Sequence, residues 1–283
     1  MKRLLSIEFQ KIQKNRASKV LVITYFVLLS LITLIASLKF SIGTFEISIA
    51  EQGIFNFPYI WHFNTYVAAF FKLFLAVVIV SMMANEYTYG TLKQNLIDGL
   101  SKKEFILSKF YVVVVFALAS TIFVFIMTLI LGYSFSSYNE TSIVFSDLEY
   151  LLAYFIKLVA FFSFCLFLGI LIKRSAFAIG FLVVWAIAEK IIYGFLKYSV
   201  LGGTYDKKNF ADSIARFFPL ESMSNLIVEP ISRLGAMKAI EDAMGGSQSV
   251  KIYTVHFTEM AIVMAWTVVF ILTSFYILKK RDL

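Results

Sequence analysis

The sequence is poor in the residues that usually carry chemistry. Cys165 is its only cysteine, so no intrachain disulfide can form and the thiol reads as a small hydrophobe inside an apolar run. Its two histidines, His62 and His256, stand far apart without metal-ligand spacing, which leaves packing and hydrogen bonding as their roles. No lysine is followed by Ser or Thr, so the phosphate-binding loop that would let the chain power itself from ATP is missing. There is no Gly-x-Ser-x-Gly elbow and no pair of carboxylates on an apolar run, and an enzyme is disfavoured. Charge is scarce too, at 16% of residues.

What remains is apolar. With 60% hydrophobic and 17% aromatic residues, a chain of 283 could not bury enough of its surface to stay dissolved, and it reads as an integral membrane protein. Crossing roughly 30 Å of hydrocarbon takes about 20 apolar residues. Six runs qualify: Lys19 to Leu38, Trp61 to Ala84, Phe105 to Tyr133, Tyr150 to Ile172, Ala176 to Tyr198 and Glu259 to Leu278. None alternates as a barrel strand does, so the expected fold is all-α with six transmembrane helices.

Basic residues orient the spans, because Lys and Arg collect on the cytoplasmic side of short loops. With both termini inside, fifteen of the 26 basic residues fall in inner segments, while the two shorter outer loops hold Lys39 against Glu46, Glu51, Glu140, Asp147 and Glu149. The net charge of +8 is thus mostly topology. A nucleic-acid partner is not indicated, since the charges are scattered at helix ends facing lipid headgroups. The expected location is the plasma or inner membrane of a bacterial cell, in a multi-pass arrangement.

Residues 1–18 place Leu4, Leu5, Phe9 and Ile12 on one side and Arg3, Ser6, Gln10, Gln13 and Lys14 on the other, predicting an amphipathic helix in the inner interface. They are too polar for a signal-peptide leader, and no small-residue cleavage site follows, so the first run is expected to stay. Residues 19–283 then form one membrane domain, whose outer segment 199–258 is too long for a plain connector. Two amphipathic stretches in that segment, Phe210 to Phe218 before Pro219 and Ile231 to Met244 after Pro230, predict a lid over the outer end of the bundle.

Two features could carry function. The first is the inner loop between spans two and three. Thr91 and Gln94 have capping-box spacing, Gly90 can end the preceding helix and Gly99 the next, so a two-turn helix is expected over 91–99. Ser101 and Glu104 repeat the capping box ahead of span three. The second is a set of intramembrane charges, Lys72, Lys157, Glu189 and Lys190, each costly in hydrocarbon. By helical rise, Lys157, Glu189 and Lys72 lie on the order of 10 to 17 Å from the outer boundary. At such depths Glu189 is expected to pair with Lys157 or Lys72, either as a structural ion pair or as part of a substrate or proton path.

The segment Glu86-Tyr87-Thr88-Tyr89-Gly90-Thr91-Leu92-Lys93, with Lys102, Lys103 and Lys109 after it, resembles the membrane subunit of type-two ATP-binding-cassette (ABC) exporters. That family commonly shows a Glu, then Gly-Thr-Leu-Lys, then basic residues and a Lys at the start of span three. Here Asp98-Gly99-Leu100 stands where the family often has a proline. Phe217-Phe218-Pro219-Leu220 and the tail Lys279-Lys280-Arg281-Asp282 agree with the same architecture. The resemblance implies a permease subunit that pairs with an identical or homologous second permease. It also implies a separate dimer of ATPase subunits, which would bind the ATP and Mg; no cofactor is expected in this chain. Glu86, Gly90, Thr91, Leu92, Lys93, Leu96 and Ile97 would then form the coupling helix seated on the ATPase, with Glu86 holding the end of span two. Two other readings stay open: a proton-coupled carrier using Glu189, and a membrane anchor or immunity subunit that transports nothing.

Overall fold

All three prolines, Pro58, Pro219 and Pro230, lie outside the apolar runs, so no proline interrupts their backbone ladders and long helices result. The computed structural model describes residues 2–37, 39–42, 45–48, 53–200, 211–233 and 253–281. Helix α1 (Lys2–Lys14) is followed almost at once by α2 (Arg16–Ser37). A two-stranded antiparallel ribbon, β1 (Lys39–Ile42) and β2 (Phe45–Ser48), comes next, an element that the composition of this loop does not announce. Then follow α3 (Tyr59–Phe70), α4 (Lys72–Thr88), α5 (Thr91–Ile97), α6 (Lys102–Phe135), the short α7 (Thr141–Val144), α8 (Glu149–Ile172) and α9 (Ser175–Phe195). A π turn at Leu196–Val200, α10 (Pro219–Asn225), a 3-10 turn at Ile231–Arg233 and α11 (Phe257–Lys280) complete the described chain.

Among the described residues four helices, α6, α8 with the short α7 ahead of it, α9 and α11, are long and apolar enough to cross a membrane, and a fifth crossing is available if α3 and α4 count as one. Those two are bent by 44°, so the straight span expected from Trp61 to Ala84 is broken. The break falls at Phe71, whose N–H closes a tight turn on the carbonyl of Ala68, and it makes Lys72 the first residue of α4.

Helix α8 is the centre of the bundle. Its apolar stretch is 72% buried, against 17% for α9 and 22% for α11, and α4, α6, α9 and α11 all pack on it. Cys165 is buried there, as a small hydrophobe. Hydroxyls join the helices where apolar contact alone discriminates poorly between partners: Tyr154 of α8 bonds Ser120 of α6 at 2.8 Å and Tyr25 of α2 at 3.0 Å, and Tyr25 and Ser120 also touch. Helix α4 approaches α8 at Gly169, where an added Cβ would fall 2.9 Å from Met83 Cβ and 3.4 Å from the Val80 carbonyl oxygen. Because these are atoms close to the backbone, the helices themselves must part to admit a methyl. Gly169→Ala is therefore expected to cost about 1–3 kcal/mol, read as a lower unfolding midpoint in detergent. An unchanged midpoint would show that the contact gives way freely.

The segment 199–258 folds back on the bundle through its described part. Pro219 opens α10, which packs on α8, α9 and α11. Tyr59 Oη donates to the Pro230 carbonyl at 2.6 Å, and His62 Nε2 meets the Val228 carbonyl at 2.7 Å while its ring stacks on Tyr150. Of the two expected amphipathic stretches, 211–215 is helical, whereas Leu234, Met237, Ile240 and Met244 lie outside the described residues.

Candidate functional site

At one end of the bundle the chain makes a short helix between two left-handed glycines. Gly90, at φ +66°, separates α4 from α5, and Gly99, at φ +95°, follows the end of α5. Both conformations suit a residue without Cβ. The stop includes a Leu100 N–H to Asn95 carbonyl bond of 3.0 Å, the wide closure of a Schellman turn. The capping box at Ser101 and Glu104 forms as expected and starts α6.

The expected capping box at Thr91 does not form. Gly90 is the cap residue and contributes no side chain, so the Thr91 hydroxyl is released to donate to Glu86 Oε2 at 2.5 Å. Gln94 turns outward to Asp98, at 3.0 Å.

Glu86 belongs to a buried cluster of charge. Lys109 Nζ, fully buried on α6, lies 2.5 Å from Glu86 Oε1 and 2.5 Å from Glu8 Oε2 on α1. Lys11 Nζ reaches the same Glu86 oxygen at 2.8 Å and Glu8 at 3.4 Å. Burial alone would lower the pKa of Lys11, but the two carboxylates outweigh it and raise the value above that of a free lysine. Two carboxylates facing two ammoniums balance in formal charge, so burial is tolerable as long as all four stay together. Four elements thereby meet: α1, the end of α4, the start of α5 and the first turns of α6. Glu86 and Lys109 are visible in the sequence pattern, whereas no motif marks Glu8.

The rest of this end is basic and cross-linked. Lys102 Nζ donates to the Arg281 carbonyl at 3.0 Å, and Arg281 in turn caps α8 by donating to the Ile170 and Leu171 carbonyls at 2.5 and 2.9 Å. Within α5 the side chains divide. Leu92 is 2% exposed and points into the bundle, so it anchors the helix and is not offered to a partner. Leu96 is half-buried against the same core, while Lys93 and Ile97 face outward, Ile97 at 70% exposure. Tyr89, just before Gly90, is exposed beside them.

The charges expected inside the membrane lie towards the other end and meet in a different way from the one expected. Lys72, Lys157, Glu189 and Lys190 all line one cavity of about 760 Å³. Glu189, however, pairs with neither Lys72 nor Lys157. Its carboxylate accepts from Trp185 Nε1 at 2.6 Å, from the Leu220 N–H at 3.0 Å and from the Glu221 N–H at 3.0 Å, so it caps α10. The first N–H groups of a helix have no partners inside it, which is why a buried carboxylate settles there. Lys190 instead pairs with Glu221 at 2.5 Å. Glu189→Gln is expected to lose about 1–3 kcal/mol, because the amide places N–H groups against those of α10. Hydrogen exchange over 219–225 should quicken with it, and unchanged protection there would refute the capping role.

The helices define a multi-pass helical protein of membrane type. Over residues 44–283 the chain matches the family described as protein of unknown function (DUF2705), and it belongs to that family. No match to a curated protein was found.

Proposed function

We propose that the chain is the permease subunit of an ATP-driven exporter of the type-two ABC kind. Its spans would be α2, the bent α3–α4 pair, α6, α8, α9 and α11, with both termini and α5 in the cytoplasm. Two such subunits, identical or homologous, would enclose the path, and α5 would seat on a separate ATPase that binds ATP and Mg.

One observation carries this reading. A seven-residue helix, hinged at Gly90 and Gly99, presents Lys93 and Ile97 outward while Thr91 fastens its start to the cluster of Glu8, Lys11, Glu86 and Lys109. A push on α5 would therefore reach α1, α4 and α6 together, as a rigid-body change requires. The basic rim at the same end fits an inner face. A proton-coupled carrier using Glu189 is less well supported, since that carboxylate is engaged by three fixed donors. An exposed isoleucine on a short helix between two glycines suits a docking contact with a partner at this end.

The test is purification of the intact chain from its native membrane, identification of a nucleotide-hydrolysing subunit bound to it, and ATP-dependent export by the reconstituted complex. Export by the chain alone, driven by a pH gradient, would overturn the reading.

A further inference from the structure

The cavity of about 760 Å³ is an open cleft, lined by the exposed Phe70 and Ile187 and by Phe161 and Leu182, and its size suits one small ligand. Its charges do not balance internally. Glu189 is engaged by α10 and Trp185, and Glu221 by Lys190. That leaves Lys157, buried on α8, and Lys72 with no hydrogen bond or ion pair among the described residues, the Lys72 ammonium lying over the face of Phe161 at 4.4 Å.

A third source of positive potential is the break in the second span. Ala69, Phe70, Lys72 and Leu73, on both sides of the bend, line the cavity, so the first turn of α4 opens onto it. A helix start carries partial positive charge and free N–H groups, and a span broken at such a point favours an anion. By helical rise Lys72 and Lys157 lie about 24 and 22 Å from the far ends of α4 and α8, which puts both at one level, away from α5. An ammonium held in an apolar region without a counter-charge is costly, and an anion entering with it relieves that cost.

We infer that this cavity binds a single-chain anionic amphiphile, its carboxylate or comparable head between Lys157, Lys72 and the start of α4, and its hydrocarbon chain along Phe70, Phe161 and Leu182. The site goes beyond the ATP-driven reading and needs neither nucleotide nor ATPase. Failure of the binding test below would leave that reading untouched.

The intact protein in phosphatidylcholine nanodiscs is titrated with cis-parinarate, read by energy transfer from tryptophan, of which Trp185 adjoins the site through Glu189. Competitors are dodecanoate, dodecanol, dodecyltrimethylammonium and acetate. The expected result is one saturable site per chain, absent from empty nanodiscs. Dodecanoate should displace the probe at concentrations about tenfold below those needed for dodecanol, and the cation and acetate should fail. Lys157→Met should weaken dodecanoate about tenfold while leaving dodecanol unchanged, and Lys157→Arg should restore it. If Lys157→Met does not fold, Lys72→Met, at a half-buried position, is expected to weaken dodecanoate several-fold. Equal displacement by anion and cation, equal signal in empty nanodiscs, or undiminished dodecanoate binding in the folded lysine variants would each overturn the inference.

Discussion

Lys109→Met is expected to cost about 3–5 kcal/mol, because it removes one partner from a buried ionic cluster and leaves the others uncompensated. Lys109 is fully buried and touches Glu8 and Glu86 at 2.5 Å each. Without it two buried carboxylates face each other with Lys11, itself partly exposed, as the remaining cation. The purified variant should unfold at a clearly lower temperature in detergent. A second substitution separates charge balance from packing. Glu8→Gln in the Lys109→Met background leaves one carboxylate, Glu86, and one ammonium, Lys11, so the formal charge balances again. The double variant is expected to recover about 1–3 kcal/mol relative to Lys109→Met alone, a coupling that a double-mutant cycle measures. Additive losses would mean that the cluster is not held together electrostatically.

Much of this architecture is legible in the sequence because hydrocarbon thickness imposes length. The run expected at Phe105 to Tyr133 is α6 at Lys102–Phe135, and that at Tyr150 to Ile172 is α8 at Glu149–Ile172. Helix α5, with its glycines, was legible because φ above zero needs a particular residue. The break at Phe71 was not, since neither Pro nor Gly marks it and the apolar pattern continues across it. Glu8 sits three residues after Leu5 and four before Ile12, on the inward side of α1, and counting helical period would have placed it there. A charged residue on a buried face was the available signal. The partners of Glu189 were beyond reach, because backbone N–H groups thirty-one residues away carry no residue identity. Equal depth suggests a pairing of Glu189 with Lys157 or Lys72, but depth cannot distinguish an ion pair from the helix cap that Glu189 forms instead.

Ile97→Asp and Lys93→Glu are expected to separate coupling from folding. Both side chains face away from the bundle, so each variant should stay within about 0.5 kcal/mol of the parent in stability. If α5 is the seat of an ATPase, Ile97 is its exposed apolar anchor, and a carboxylate there should cost on the order of 2 kcal/mol of association, roughly a 30-fold weaker complex. ATP-dependent export should fall in proportion, while binding of small ligands at the far end of the bundle persists. Leu92→Asp must behave differently. Its side chain is 2% exposed beneath the helix, so an ionised group there is buried without a partner and the protein loses stability and coupling together. The contrast is the diagnostic, because a helix that merely rests in the headgroup region predicts sensitivity at Leu92 and indifference at Ile97. Unchanged ATPase association and export in both Ile97→Asp and Lys93→Glu would place the coupling surface elsewhere.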